Sequence, residues 1–298
     1  MGARSVSGTR WTPILAAGAA AATGVQVGAA LVASRYVVEQ TGPATLALLR
    51  YVIGVAILAV PALLAPKARF APRDLAIIAL LGIGQFGLLI ALLNIGLHYT
   101  TAARAALLFA TMPLITLVLA ASLGHERLGL AKGLGVLLSL LGVAFALGDA
   151  VLHPAKGEAP WIGIAAVLGS AATGAVCSVF YRPYLRRYPI LKVSAIAMLA
   201  AVLALLPLAL LETRAVPLLD LDGAAMLAVL FIGLSSGVFY FLWLWALGNA
   251  SASRVTVFLS LSPPTAALLG VWLLGEPLTP SLLAGLAAIV AGIVLAHR

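Results

Sequence analysis

Apolar residues fall into ten long runs, at about 12–34, 43–65, 74–97, 101–123, 130–149, 161–181, 190–211, 223–247, 252–274 and 280–296, and the charged residues gather between them. Each run is near the roughly 20 residues an α-helix needs to cross a bilayer. The pattern therefore predicts an all-α integral membrane protein with ten transmembrane helices, spans 1–10. Local signals mark several ends. Gly42–Pro43 separates spans 1 and 2, Asp74 is placed to cap span 3, and Thr279–Pro280 supplies an N-cap and first-turn proline for span 10. Trp11 and Tyr188 on one side, and Tyr36, Tyr99, Trp161 and Trp272 on the other, are spaced as an interfacial aromatic belt. The first run is too long for a signal-peptide core, and the connections are too short to hold a soluble domain.

Composition agrees. Of 298 residues 63% are hydrophobic and 9% charged, against about 25% charged in soluble domains. A net charge of +9 would suggest nucleic acid for a soluble chain, but its distribution points to a bilayer. With a cytoplasmic N-terminus, one side collects Arg4, Arg10, Lys67, Arg69, Arg73, Arg127, Lys132, Arg182, Arg186, Arg187, Lys192, Arg254 and Arg298. The other collects Arg35, Arg104, Lys156 and Arg214. This positive-inside bias places both termini in the cytoplasm and the chain in a bacterial inner membrane. The single cysteine, Cys177, allows no disulfide within the chain.

The sequence repeats at an offset of 150. Arg104 falls on Arg254, Pro113 on Pro263, Glu126 on Glu276, Gly135 on Gly285 and Gly142 on Gly292, and the run from Ala21 to Gly24 falls on Ala171 to Gly174. Arg, Pro and Glu are scarce in the chain, so these coincidences carry weight. Residues 1–149 and 161–298 are expected to form two five-helix repeats joined by an outer linker, 150–160. An odd number of spans per repeat inverts the second copy, an architecture that sets a substrate site at the repeat interface near mid-bilayer.

Candidate chemistry lies within the spans. Pro113 in span 4 and Pro263–Pro264 in span 9 interrupt helix hydrogen bonding, which lipid tolerates only where the break faces protein or a wet cavity. They are candidate hinges, with static kinks as the alternative. Arg50 is the one charge well inside a span; it either snorkels or binds carbonyls, or it meets a substrate carboxylate. Span 6 carries Ser170, Thr173, Cys177 and Tyr181, span 8 carries Ser236, Tyr240 and Trp243, span 1 carries Thr23 and Gln26, and span 3 carries Gln85. Together they suit the wall of a central cavity for a partly apolar solute, and each could equally serve helix packing. Gly24 and Gly28, and the pairs Gly135/Gly142 and Gly285/Gly292, suit close helix contact within one subunit. Glu126 and Glu276 each precede a span, where a helix dipole stabilises a carboxylate.

Absences narrow the function. No acid lies at a span centre, which disfavours coupling through an intramembrane carboxylate and favours a passive or loosely coupled route. One mid-depth cation is too few for a phosphate-ester exchanger. No metal, cofactor or nucleic-acid site is expected, and the partners are the bilayer and a small solute, with the chain a monomer or weak homodimer. Gly233, Ser235 and Gly237 spell G-x-S-x-G, the motif of a serine hydrolase. Ser235 lies about 20 Å into span 8 at 1.5 Å per residue, whereas His98, the candidate base, is at a rim.

The segment from Thr101 to Leu128, with its proline and terminal H-E-R-L, is echoed by Ser251 to Leu278, with S-P-P and G-E-P-L. With Gly42–Pro43 and Arg50–Tyr51 in span 2, this arrangement resembles the EamA-type members of the drug/metabolite transporter superfamily, and among them the YddG-type amino-acid exporters. The resemblance implies a basket of helices around a central cavity, spans 5 and 10 at the periphery, and alternating access. It implies export of amino acids, notably aromatic or neutral ones, or related metabolites, with multidrug efflux as the alternative. Spans 1, 3, 4, 6, 8 and 9 would line the path, and Gln26, Gln85, Tyr181 and Tyr240 would orient the solute. Thr23–Gly24 stands where such exporters often carry tryptophan beside glycine.

Overall fold

The computed structural model describes residues 12–124, 130, 133–135, 137, 138, 141, 142, 145, 160–213, 221–276 and 278–296. Most of span 5, linker positions 150–159, Glu126, Trp11 and both termini lie outside the described residues. The rest is helical, with no strand among the described residues. Eight helices are long and apolar enough to cross a membrane, corresponding to spans 1–4 and 6–9. Span 10 is a shorter apolar helix, Pro280–Ala296.

The outside of the bundle is apolar and part of its inside is polar. Leu63, Leu64, Leu227, Leu268 and Trp272 project outward, while Thr23, Gln26, Arg50, Gln85, Asn94 and Ser236 are buried. Lipid favours this distribution, since polar side chains then find partners only inside.

Helix ends gather in two rims. At one, Glu212 at the end of span 7 (Ile190–Glu212) meets the start of span 2 (Pro43–Leu64). Tyr36 near the end of span 1 (Thr12–Thr41) hydrogen-bonds Asp222 before span 8 (Gly223–Asn249). At the other, Tyr188 after span 6 (Pro160–Arg187) donates to Asp74 at the start of span 3 at 2.6 Å, and Arg187 pairs with the same carboxylate at 2.7 Å. We call these the Glu212 rim and the Asp74 rim. Span 3 ends at the Glu212 rim, while span 8, its counterpart 150 residues on, begins there.

Three sequence expectations change at these rims. Span 3 begins at Pro72, so Asp74 lies in its first turn rather than capping it, and Asp74 instead ties spans 3 and 6 together. Tyr188 is buried and stacks on Phe70 at 4.4 Å instead of lying in a belt. Tyr36, Tyr99, Trp161 and Trp272 are exposed. Glu276 does not serve the span it precedes: Ala102 N and Ala103 N, at the start of span 4, donate to it at 2.9 and 3.4 Å. Gly275 adopts φ +66° and turns the chain there. Thr279 caps span 10 by accepting from Leu282 N at 3.3 Å.

The small-residue steps are seams within one subunit. A Cβ on Gly24 would lie 2.1 Å from the Phe258 carbonyl oxygen, and one on Gly28 would lie 2.5 Å from that of Ser262. Span 1 thus lies directly on span 9. Gly174, the repeat partner of Gly24, likewise lies against Met112 of span 4. Gly142 meets the backbone of Gly285 and Ile289, so the described part of span 5 packs on span 10. The glycines of G-x-S-x-G have the same use, Gly233 against Ile53 and Gly237 against Gly54 of span 2.

Gly24→Ala should therefore lower stability by about 1–3 kcal/mol through overpacking against backbone. Gly18→Ala, with open space at its Cβ, should be neutral or slightly stabilising. Thermal unfolding of purified protein checks both, and equal melting temperatures would refute the seam.

Candidate functional site

Three spans break near the middle of the bundle. Span 4 consists of helices Ala102–Phe109 and Met112–Ser122, with Ala110 and Thr111 between. Span 9 is Ala252–Thr256, a tight 3-10 segment Val257–Leu261, and Ser262–Leu274. Pro113 and Pro263–Pro264 sit in the first turn of the second helix of each span, where a missing N–H is least harmful. Hydroxyls add to the bonding of carbonyls at the breaks, which also accept from the N–H of Ser262 and of Thr111. Pro263 cannot donate to the carbonyl of Leu259, and Ser262 Oγ does so at 2.8 Å. In span 4, Thr111 Oγ1 donates to the Leu108 carbonyl at 2.7 Å.

The third break has no signal in the repeat. Span 3 runs from Pro72 to Tyr99 but contains a π-helical turn, Ile83–Leu88, with Gln85 in it. The matching stretch of span 8 is regular α-helix. π-Turns occur often at functional sites because the extra residue re-aims side chains.

Between these breaks lies a cavity of about 20 Å³. Water needs roughly 10–15 Å³ by this measure, so the space holds water but no amino acid. Its wall includes Thr23, Val27 and Ser34 of span 1, Arg50 of span 2, Gln85, Leu89, Leu93 and Asn94 of span 3, Phe109 and Met112 of span 4, Tyr240 and Trp243 of span 8, and Leu259 of span 9.

Arg50 dominates the electrostatics. It is 4% exposed and about 10 Å from the start of span 2 at 1.5 Å per residue. Its Nε donates to Ser236 Oγ at 2.6 Å. Its guanidinium carbon lies 5.5 Å from the Tyr240 ring centre and 5.9 Å from that of Tyr51. Among the described residues no carboxylate pairs with it. Phe86 packs on Tyr51 and Tyr240 at 5.4 and 5.2 Å, joining spans 2, 3 and 8 around the charge. Several buried polar atoms in or beside the cavity have no partner among the described residues: Gln85 Oε1, Trp243 Nε1 and Gln26 Oε1. Such atoms are costly in a dry interior, and a polar ligand or water would satisfy them.

Of the residues singled out from sequence, Thr23, Gln85, Tyr240, Trp243 and Arg50 share the cavity wall, and Ser236 holds Arg50. Gln26 is buried just off it, donating to Ser235 Oγ at 2.9 Å. That contact, with His98 exposed at the Glu212 rim, leaves Ser235 without the expected base. The span 6 stripe lies apart from the wall. Cys177 donates to the Leu81 carbonyl, Thr173 bonds back to Gly169, and Ser170 and Tyr181 are fully buried. Gly174 lies against Leu89 of span 3 and Met112 of span 4, and the hydroxyls of Ser170 and Tyr181 have no partner among the described residues. Span 2 replaces span 6 in the wall through Arg50.

The sequence reading missed Ser34, Phe109, Met112 and Phe86, apolar or common residue types with no motif. It also missed Glu212. Ala44 N and Thr45 N donate to this carboxylate at 3.0 and 2.7 Å, and Thr45 Oγ1 at 2.9 Å. Gly42, at φ +82°, has no room for a side chain, since a Cβ would lie 2.8 Å from Glu212 Oε2. Asn94 adds a bond to the Pro43 carbonyl at 2.9 Å. The helix start flagged by Gly42–Pro43 is thus capped from another span.

Comparison with known proteins now bears on the cavity. The profile of the EamA-like transporter family matches residues 13–148 and 161–298. The chain is 29% identical over 272 residues to an uncharacterized transporter of Archaeoglobus fulgidus, covering 91% of this chain and 94% of that one. It is 31% identical over 258 residues to a probable terminal-alkyne amino-acid exporter of Streptantibioticus cattleyicolor, covering 86% and 84%. A protein crystal structure shares the fold at a TM-score of 0.69 with 24% identity, covering 97% of this chain and 98% of that one.

Glu212→Ala removes three acceptor contacts from the start of span 2 and should cost about 1–2 kcal/mol. Glu212→Gln, which keeps one acceptor oxygen, should cost less. A drop in melting temperature ordered Ala below Gln below the parent protein is expected, and an unshifted Ala variant would refute the cap.

Proposed function

The chain belongs to the EamA-like transporter family, and from that membership and the Arg50 cavity we propose that this multi-pass membrane protein exports small amphipathic metabolites bearing a carboxylate. Amino acids with neutral or aromatic side chains fit best. The observation that carries the reading is a buried guanidinium facing a cavity without an acid partner among the described residues. A cation inside a span usually marks a solute pathway, and a substrate carboxylate would supply its missing partner. Leu89, Leu93, Phe109, Met112 and Trp243 offer an apolar wall for the substrate side chain. The relation to a probable amino-acid exporter supports the substrate class. Family membership points to transport rather than catalysis.

A lipophilic cation fits poorly, because it would meet Arg50 in a medium of low dielectric constant. Multidrug efflux of cations is the weaker reading for that reason.

The architecture we infer is ten spans in two inverted repeats, residues 1–149 and 161–298, joined by a linker on the outer face. The 150-residue repeat, the family match in two stretches and the opposite directions of spans 3 and 8 support it. The positive-inside pattern supports a bacterial inner-membrane location with both termini cytoplasmic. The protein needs no second subunit for its cavity, and a monomer or weak homodimer suffices. The small cavity suits an occluded step of alternating access. The breaks at Pro113 and Pro263–Pro264 are placed to let half-helices tilt as access changes sides, since each break lies beside wall residues.

Purified protein in liposomes should exchange labelled phenylalanine or leucine and leave a lipophilic cation untouched. Flux of the cation alone, unaffected by amino acids, would overturn the reading. Arg50→Met should reduce amino-acid flux at least about tenfold, since hydrogen bonds to charged groups are worth roughly 1.5–3 kcal/mol. It should melt no lower than the parent protein, because an unpaired buried charge does not help folding. Pro113→Ala should insert normally and slow exchange, and unchanged exchange would remove the hinge from the mechanism.

A further inference from the structure

Gln85 is 3% exposed, faces the cavity, and makes no hydrogen bond with any described residue at either end of its carboxamide. The other buried amides nearby differ. Asn94 donates to the Pro43 carbonyl, and Gln26 donates to Ser235 and, though its Oε1 is also unpaired among the described residues, lies off the cavity wall. Packing does not account for Gln85. The chain also departs from regular α-helix at this residue, in a π-turn that the second half lacks.

We propose that Gln85 is the specificity-determining residue that reads the ammonium group of an α-amino acid. The proposal rests on the reading of the cavity as a carboxylate-binding transport site. Its neighbour Phe86 packs against Tyr51, the neighbour of Arg50, so Gln85 lies beside the cluster that holds the guanidinium. Asn94, the other side-chain amide on the wall, is tied to the first residue of span 2 near the Glu212 rim. With the substrate carboxylate on Arg50, the ammonium needs an acceptor and a π-face. Gln85 Oε1 supplies the first, and the rings of Tyr240 and Trp243 on the cavity wall the second.

The neutrality of the acceptor follows from the same chemistry. A carboxylate at position 85 would compete with the substrate for Arg50. A carboxamide accepts from an ammonium and leaves the guanidinium free. A zwitterion then satisfies both ends, a simple carboxylate satisfies one, and an amine without a carboxylate meets net positive charge.

Three ligands that share one side chain test this: phenylalanine, 3-phenylpropanoate and phenethylamine, with affinities for the full-length protein measured by calorimetry in nanodiscs. The parent protein should bind phenylalanine at least about tenfold more tightly than 3-phenylpropanoate, and should not bind phenethylamine. Gln85→Met, of similar shape, should weaken phenylalanine to the level of 3-phenylpropanoate and leave the latter unchanged. Equal weakening of both ligands, or no preference in the parent protein, would overturn the assignment. Gln85→Glu keeps an acceptor and repels the anion, so it should widen the preference for phenylalanine; a narrowed or unchanged preference would also overturn it. Binding of none of the three, or of phenethylamine alone, would overturn the amino-acid reading and this assignment with it. Binding of both acids with equal affinity would spare the carboxylate site and remove only Gln85.

Discussion

In hydrocarbon a backbone N–H or C=O has no water to turn to, and the bundle is organised around meeting that demand. Among the described residues, regular helix meets it along most of spans 1–4 and 6–10. At the rims the demand falls on carboxylates from elsewhere in the chain. Glu212 accepts from the start of span 2, and Glu276 from the start of span 4. Each contact closes a helix end and ties two spans. At the interior breaks, the N–H and hydroxyl of Ser262 both serve the Leu259 carbonyl, and those of Thr111 the Leu108 carbonyl.

Because these breaks are satisfied locally, irregular backbone can persist at mid-depth, and the wall of the cavity is built there. Phe109, Met112 and Leu259 reach the cavity from broken segments, and Gln85 from the π-turn. The glycine seams set the spacing. Span 1 lies against span 9 so closely that a methyl group at Gly24 or Gly28 would meet backbone. This contact brings Thr23 and Val27 to the same wall as Leu259.

Within that frame the site is defined by an imbalance. Arg50 has a hydroxyl and two rings for company but no acid among the described residues. A protein optimised only for folding would replace or pair such a charge. The charge is retained beside amide and indole groups that have no partner among the described residues, and this is why we propose a solute that brings an anion and further polar groups of its own. Apolar neighbours on spans 3 and 4 favour a solute with a greasy portion. The proposal of an amino-acid solute rests on that charge and those apolar neighbours together.

The spans were legible because lipid makes hydrophobicity itself the structural signal, and the 150-residue offset was legible because Arg, Pro and Glu are rare in this chain. Arg50, Pro113 and Pro263 stood out for the same reason: each breaks a local rule that a membrane helix otherwise keeps. The span 6 stripe reads as cavity because its polar spacing is helical, yet a stripe does not record which neighbour it faces, and its residues do not line the cavity that Arg50 faces. Glu212 was invisible as a cap because the amides it serves lie 168 residues away in sequence, at Ala44, and 167 away, at Thr45. The π-turn at Gln85 carries no residue signature, since one extra residue per turn depends on how span 3 fits its neighbours. Local polarity and the bilayer determined where the eight long apolar helices among the described residues run and where two of them break beside proline; only the packed bundle decided which polar groups face the cavity, because that depends on helix rotation and on contacts between distant parts of the chain.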